Sequence, residues 1–146
     1  MAAVDICRDL GNQVYEAWVL LELAKAQTAS RDPQQALDSY HQAAALYRQL
    51  RDPGSEAAAL DGAGETCQVL GNLSEAADFH RSAVAILRTA ADPWRLAVAL
   101  NNLAAACQAE TPDQAVVSRR EALDLIADFS DPRATQLRQD IVGLLG

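Results

Sequence analysis

Residues 60–83 read LDGAGETCQVLGNLSEAADFHRSA, and the reading of this stretch decides the fold. Leu60, Ala63, Gly64 and Cys67 recur at spacings of three and four, which is one face of a helix. Gly71 interrupts that helix. Asn72, with Glu75 three residues later, reads as a capping box that starts a second one. In the second helix Ala76, His80 and Ala83 fall on a shared face. So short a connection forces the two helices to lie antiparallel.

Working outward, the same pair recurs at an offset of about 40 residues. Ala17, Ala57 and Ala97 align, as do Leu20, Leu60 and Leu100. Leu23, Ala63 and Leu103 follow, then Ala24, Gly64 and Ala104, and Cys67 matches Cys107. In the second half of each unit Ala36 matches Ala76, and Ala43 matches Ala83. With one residue deleted from the loop of the third unit, Ala115 and Ala122 take the same places. Pro33, Pro53, Pro93, Pro112 and Pro132 each follow Asp or Thr, the signature of an N-cap with proline at the first helical position. These signals predict helices at 2–10, 14–30, 33–50, 55–70, 73–90, 94–109, 112–129 and 132–145. They group as a half repeat (2–10), three repeats (14–50, 55–90, 94–129) and a terminal helix (132–145), in a single domain over 1–146. The small residues need a neighbour's helix against them, so no unit closes a core alone and the units must stack.

Composition agrees. Half of the residues are hydrophobic but only 5% are aromatic, and alanine, the strongest helix former, supplies the difference. Val and Ile never alternate with polar residues as a half-buried strand requires, so the class is all-α. The net charge of −8 and a pI near 4.6 disfavour direct nucleic-acid binding, which depends on cationic contacts to phosphate. No basic region precedes an apolar stretch, and no apolar run is long enough for a bilayer, so neither a signal peptide nor a membrane span is expected. Three scattered cysteines suggest neither a disulfide framework nor a zinc site, and a reducing, cytoplasmic setting fits them.

Together these residues resemble the tetratricopeptide repeat family. Leu60-x-x-Ala63-Gly64, with Gly71-x-x-x-Glu75-Ala76-x-x-x-His80-x-x-Ala83, matches its two-helix unit, His80 standing in the aromatic place. Ala36, Tyr40 and Ala43 fit fully, whereas Arg119 departs from the aromatic rule, which implies a looser last contact between repeats. The resemblance implies a right-handed superhelical solenoid of antiparallel helix pairs, about eight helices in all, working as a scaffold for proteins or peptides. The long unit is similar to the extended repeats of bacterial signalling regulators and kinesin light chains. Ala99-Leu100-Asn101-Asn102-Leu103 resembles the first-helix signature of that subgroup, whose asparagines hold a peptide backbone; Leu21-Glu22 and Asp61-Gly62 stand at the corresponding places. An Ala- and Arg-rich chain with a single lysine suggests a GC-rich bacterial genome, and together with the repeat style it looks like the carboxy-terminal array of a larger actinobacterial regulator.

Catalytic and metal readings find little support. Cys67 and Cys107 occupy one place in successive repeats and read as small apolar packing, as does Cys7. His41 and His80 have no set of partner ligands, and Asp61 with Glu65 has no cleft of unlike surroundings to separate two pKa values. Gly62-x-Gly64 lies inside a helix and follows no strand, so it is not a phosphate loop. The expectation is a non-enzymatic chain without cofactor or metal. The candidate binding residues lie on the first helix of each unit, opposite the core stripe: Trp18, Glu22, Lys25, Asp61, Glu65, Gln68, Asn101, Asn102 and Gln108. With Glu22, Asp61 and Glu65 against Lys25 alone, the wall reads as acidic and its ligand as one carrying Arg or Lys. Apolar ends at Val4, Ile6, Ile141, Leu144 and Leu145 suggest weak homo-oligomerisation through the end helices. Self-association or intramolecular regulation is the alternative role.

Overall fold

A computed structural model describes residues 2–9 and 12–146; the side chains of Ile6, Cys7 and Asp9 lie outside that description, and with them the expectations placed on Ile6 and Cys7. Among the described residues there are eight helices and no strand. They are α1 (Ala2–Asp9), α2 (Gln13–Ala29), α3 (Pro33–Gln49), α4 (Pro53–Val69), α5 (Leu73–Ala90), α6 (Pro93–Cys107), α7 (Pro112–Leu125) and α8 (Pro132–Leu145). Each helix packs on the next in the chain. In addition α2 touches α4 and α4 touches α6, so the first helices of successive units form one continuous wall. This is the stacked arrangement of a solenoid.

Alanine makes the stacking possible. Ala17, Ala97, Ala24, Ala104, Ala36, Ala76, Ala115, Ala43, Ala83 and Ala122 are wholly buried, each where two helices cross at close range. Leu20, Leu87, Leu100 and Ile126 fill the spaces between them. The helix starts follow the Asp-Pro rule: Asp32, Asp52, Asp92 and Asp131 each accept a backbone N–H of the first turn. Asn12 does the same ahead of α2. Asn72 and Thr111 do not. Asn72 occupies the N-cap of α5 without a side-chain bond, so the expected capping box is not formed, and the Thr111 hydroxyl donates backward to the Cys107 carbonyl at 3.3 Å.

Three turns close with the same device. Arg31, Arg51 and Gly71 sit in the left-handed region, at φ 65°, 56° and 81°. The next N–H in each case reaches back to the helix, from Asp32 to Gln27, Asp52 to Tyr47 and Asn72 to Cys67 at 2.8–3.0 Å. This 6→1 bond is a Schellman motif and satisfies carbonyls that the helix end leaves open. The helices before these turns end one residue before the sequence suggests. The larger departures lie elsewhere. α4 starts at Pro53, two residues before the expected 55, because Asp52 caps it. α7 ends at Leu125, four residues before the expected 129. There Arg138 of α8 donates to the Ile126 and Phe129 carbonyls at 2.8 and 2.6 Å, and so closes the helix end from outside.

The two chain ends differ from the sequence expectation. Val4 and Ile141 are buried, because α1 and α8 turn them against the neighbouring helix. The apolar side chains that α8 shows to solvent are Val142 and Leu144, while Leu145 is half-buried.

Candidate functional site

Each repeat places one residue of its second helix directly beneath the wall of first helices: Tyr40 on α3, His80 on α5 and Arg119 on α7. All three are buried. Each is met by the polar residue near the end of its own first helix. Thr28 acts on the Tyr40 phenol, though its hydroxyl donates to the Ala24 carbonyl at 3.0 Å; Gln68 Oε1 lies 3.4 Å from His80 Nε2, and Arg119 Nη1 donates to Gln108 Oε1. A second first-helix position completes each layer: Leu21, Asp61 and Asn101. Asp61 Oδ1 lies 2.7 Å from His80 Nδ1. Asn101 Oδ1 and Arg119 Nε are buried without a hydrogen-bond partner.

Two glycines let the rings in. A Cβ on Gly64 would stand 2.6–2.9 Å from three atoms of the His80 ring, and a Cβ on Gly62 would collide with the Tyr40 ring. Gly64 is thus the small residue at a crossing that the repeat requires. Burial raises the Tyr40 phenol above its ordinary value; Glu65 and Glu22 push in the same direction, and Thr28 opposes them.

In front of these layers runs a cleft of about 440 Å³. It is walled by α2 (Leu21, Lys25), α4 (Ala57, Ala58, Asp61, Gly62, Glu65) and α6 (Trp94, Arg95, Val98, Asn102), with Tyr40 and Leu87 at its back. Of the sequence-derived candidates, Lys25, Asp61, Glu65 and Asn102 therefore come together. The others do not line it. Glu22 is tied to Lys25 at 2.8 Å on the exposed side of α2. Gln68 and Gln108 are turned to His80 and Arg119, and the Asn101 oxygen is buried. Trp18 lies in a separate hollow with Val14, Tyr15, Tyr47 and Ser55, its ring stacked on Tyr15 at 5.5 Å.

The expected charge balance also changes. Arg95 is a second cation in the cleft; its guanidinium lies over Gly54, where any side chain would meet it, and it pairs with Asp92 at 3.5 Å. Glu22 is neutralised by Lys25, and Asp61 faces His80. Among the described residues, Glu65 is the one cleft carboxylate without an ion-pair partner. Desolvation by the surrounding walls raises its pKa, the Asp61 charge adds to that, and His80 opposes it.

Trp94 and Arg95 were not among the sequence candidates. They occupy the first turn of α6, where Val14-Tyr15 and Gly54-Ser55 stand in the earlier units, and the side-chain-free Gly54 was the one available hint. Trp94 also borders a second hollow against α8, with Arg133 5.0 Å from its ring centre and Phe129 stacked at 6.5 Å. The Cys67 thiol offers little chemistry: burial, and to a lesser degree Glu75, pushes it up to about 11, so it stays protonated near neutrality. No described helix is long and apolar enough to cross a membrane.

The family model described as tetratricopeptide repeat matches residues 15–89. No curated protein matches the sequence. Among solved structures, the TPR domain of Arabidopsis FLU superposes with a TM-score of 0.70 at 21% identity, over 77% of this chain and 95% of that one. The N-terminal domain of C. elegans stress-induced protein-1 gives 0.67 at 21% identity, over 89% and 97%. A Podosopora anserina putative kinesin light chain with nearly identical TPR-like repeats gives 0.69 at 21%, over 84% and 62%. At these identities the superpositions speak for the fold. With half of its length matched by the family model and all of its described helices in repeat order, the chain belongs to the tetratricopeptide repeat family.

Proposed function

We propose that this chain is a non-catalytic scaffold that binds an extended segment of a partner protein in the cleft between α2, α4 and α6. The observation that carries the reading is Glu65: a carboxylate in the cleft that, among the described residues, has no ion-pair partner. A ligand cation seated there would recover the charge interaction the fold leaves open. Trp94 and Val98 offer an apolar face on one side of that point, and Asn102 a carboxamide that both donates and accepts to a peptide backbone. The fitting partner is a segment with one Lys or Arg flanked by apolar residues. Lys25 and Arg95 at the cleft's rims would disfavour a run of cations.

The setting we infer is the cytoplasm of a bacterium, within a larger signalling regulator. Its support is the composition of the chain and the likeness of its long units to those regulators. Exposed Val142 and Leu144 on α8 favour, as a second reading, self-association through that helix. Titration of a peptide library against wild type, Glu65→Lys, Trp94→Ala and Asn102→Ala separates these readings, with circular dichroism as the folding check. Trp94→Ala and Asn102→Ala should each weaken binding by roughly 1–2 kcal/mol, and Glu65→Lys should reverse the charge preference. Ligands that bind all four proteins equally would rule out the cleft. A sedimentation coefficient that rises with concentration and falls back on Leu144→Glu would favour the second reading.

A further inference from the structure

The chain has two Trp, three Tyr and two Phe, and one hollow of about 470 Å³ gathers Tyr15, Trp18 and Tyr47. It lies where the start of α2 meets the turn from α3 into α4, and it shares no lining residue with the cleft. Tyr47 is buried, whereas Tyr15 and Trp18 are each 49% exposed. Their rings stack at 5.5 Å with planes 19° apart, which makes a stiff, flat π surface at the edge of the hollow. Val14, also exposed, extends that apolar surface. In a chain this poor in aromatic residues, such a cluster with polar Asn12, Asp52 and Ser55 around it has the make-up of a contact site.

Among the described residues that line the hollow, Asp52 carries the one charge. The Ser55 N–H donates to its Oδ1 at 3.1 Å and the Ser55 hydroxyl to its Oδ2 at 2.6 Å, so the carboxylate is fixed in orientation. A carboxylate offers about four acceptor sites, and one donor per oxygen leaves each oxygen free to accept again. No described cation of the chain pairs with it. Of the nearby cations, Arg48 is taken by Glu56 and Lys25 by Glu22, both at 2.8 Å, while Arg51 is exposed in the turn and does not line the hollow. The Asp52 charge is felt inside: burial raises the Tyr47 phenol above its ordinary value, and Asp52 and then Glu22 push it further. The end of α3 and the start of α4 meet at this turn, so their opposite end charges offset each other.

A flat π surface beside a fixed carboxylate with two adjacent free acceptors matches a guanidinium. That group is planar and weakly hydrated, stacks on aromatic faces and forks onto both oxygens of a carboxylate. An ammonium matches the charge but not the fork, and an apolar side chain leaves the carboxylate unanswered. We propose that this hollow is a second binding site, separate from the cleft, that takes one arginine side chain of a partner protein, with its guanidinium against the Tyr15–Trp18 pair and forked onto Asp52. Asp52 then serves twice, as the cap that starts α4 and as the group that selects the ligand.

The test is titration with acetyl-Gly-Arg-Gly amide and with its lysine, citrulline and norleucine counterparts. Citrulline keeps the shape of arginine without its charge, and norleucine is apolar throughout. The ¹H–¹⁵N signals of the two indole N–H groups separate the sites, since Trp18 lines the hollow and Trp94 the cleft. The arginine probe should move the Trp18 signal and bind there roughly tenfold more tightly than the citrulline probe, with an advantage that shrinks as salt is added. The lysine probe should fall between them. Asp52→Asn should bring the arginine probe to the citrulline level while the melting temperature holds, because Asn caps a helix as well as Asp does. Trp18→Leu, which keeps apolar bulk and removes the π face, should weaken the arginine probe several-fold with the circular dichroism spectrum intact. A citrulline or norleucine probe that binds as tightly as arginine would overturn the proposal, and the hollow would then be a seat for an apolar side chain. An Asp52→Asn protein that binds arginine like wild type, or an arginine probe that moves Trp94 alone or neither indole, would also overturn it.

Discussion

Gly64 and Gly143 both lie inside helices, yet they should answer alanine in opposite ways. In α8 a Cβ on Gly143 meets nothing within 4 Å, so Gly143→Ala should gain up to about 1 kcal/mol from helix propensity. On α4 the same change drives a methyl into a buried ring held by Asp61 and Gln68, so Gly64→Ala should lose roughly 1–3 kcal/mol despite the better propensity. Urea melts of both variants check this; equal stabilities would mean that the ring moves freely. The third layer invites a gain. Asn101 stands where Asp61 stands in the second repeat, and Arg119 where His80 stands, yet Asn101 Oδ1 and Arg119 Nε have no partners. A carboxylate there would face a buried guanidinium, so Asn101→Asp should raise the melting temperature by about 2–5 °C near neutral pH and lose that gain in acid. Unchanged melting would show that the two groups do not face each other. The repeat offset was enough to find the glycine position in the sequence. The ring opposite it was not legible, because the partners lie on different helices twelve to nineteen residues apart and meet only at the crossing.

At the level of elements the chain was most legible at its helix starts and least at its helix ends. Asp-Pro fixes a start by local chemistry alone, whereas an end depends on what receives its open carbonyls. α7 shows this: no glycine follows Leu125, and the stop is enforced by Arg138 from the next helix. The junctions between units show it too. Arg8 pairs with Glu16 at 2.7 Å and Arg48 with Glu56 at 2.8 Å, holding a nearly buried carboxylate at two successive junctions. In the third, Leu96 replaces the acid, and Arg88 turns to Glu121 in a bidentate pair that draws the Glu121 pKa down. The turn before α6 shares one feature with the junction before it: Ala91 sits at φ 52°, where Arg51 sits at φ 56°. An alanine there pays the left-handed penalty that glycine avoids, so Ala91→Gly should stabilise by about 0.5–1 kcal/mol, partly offset by the freer unfolded chain. The measurement is the denaturant midpoint at constant m-value, and a lower midpoint would show that the turn is not strained.

Across the whole molecule, stability is spread along a row of contacts between neighbours, and the groove is the place where the fold gives some of it up. The sequence showed which helices build the groove, since the first helices share a repeat register. It did not show the groove's charge, because Glu22, Asp61 and Arg95 take partners that only the packed array supplies. What remains is Glu65, whose pKa is raised in the folded chain by burial and by Asp61. A raised carboxyl binds its proton more tightly when folded than when unfolded. Its contribution therefore falls as pH rises from the ordinary carboxylate value of about 4.3 toward the folded value, and at neutrality it disfavours the native state. Glu121 and Asp131, lowered by Arg88 and by backbone N–H groups respectively, act in the opposite sense and lose their contribution only in stronger acid. Glu65→Gln should accordingly raise the melting temperature by about 1–3 °C at pH 7 and leave it unchanged near pH 4. The same substitution should weaken binding of a Lys-bearing peptide and flatten its salt dependence, since the groove loses its unpaired charge. Stability gained with binding lost is the pattern of a residue kept for function. A Glu65→Gln protein that is no more stable at pH 7 than wild type, and binds the peptide as well, would mean that Glu65 is an ordinary solvated side chain.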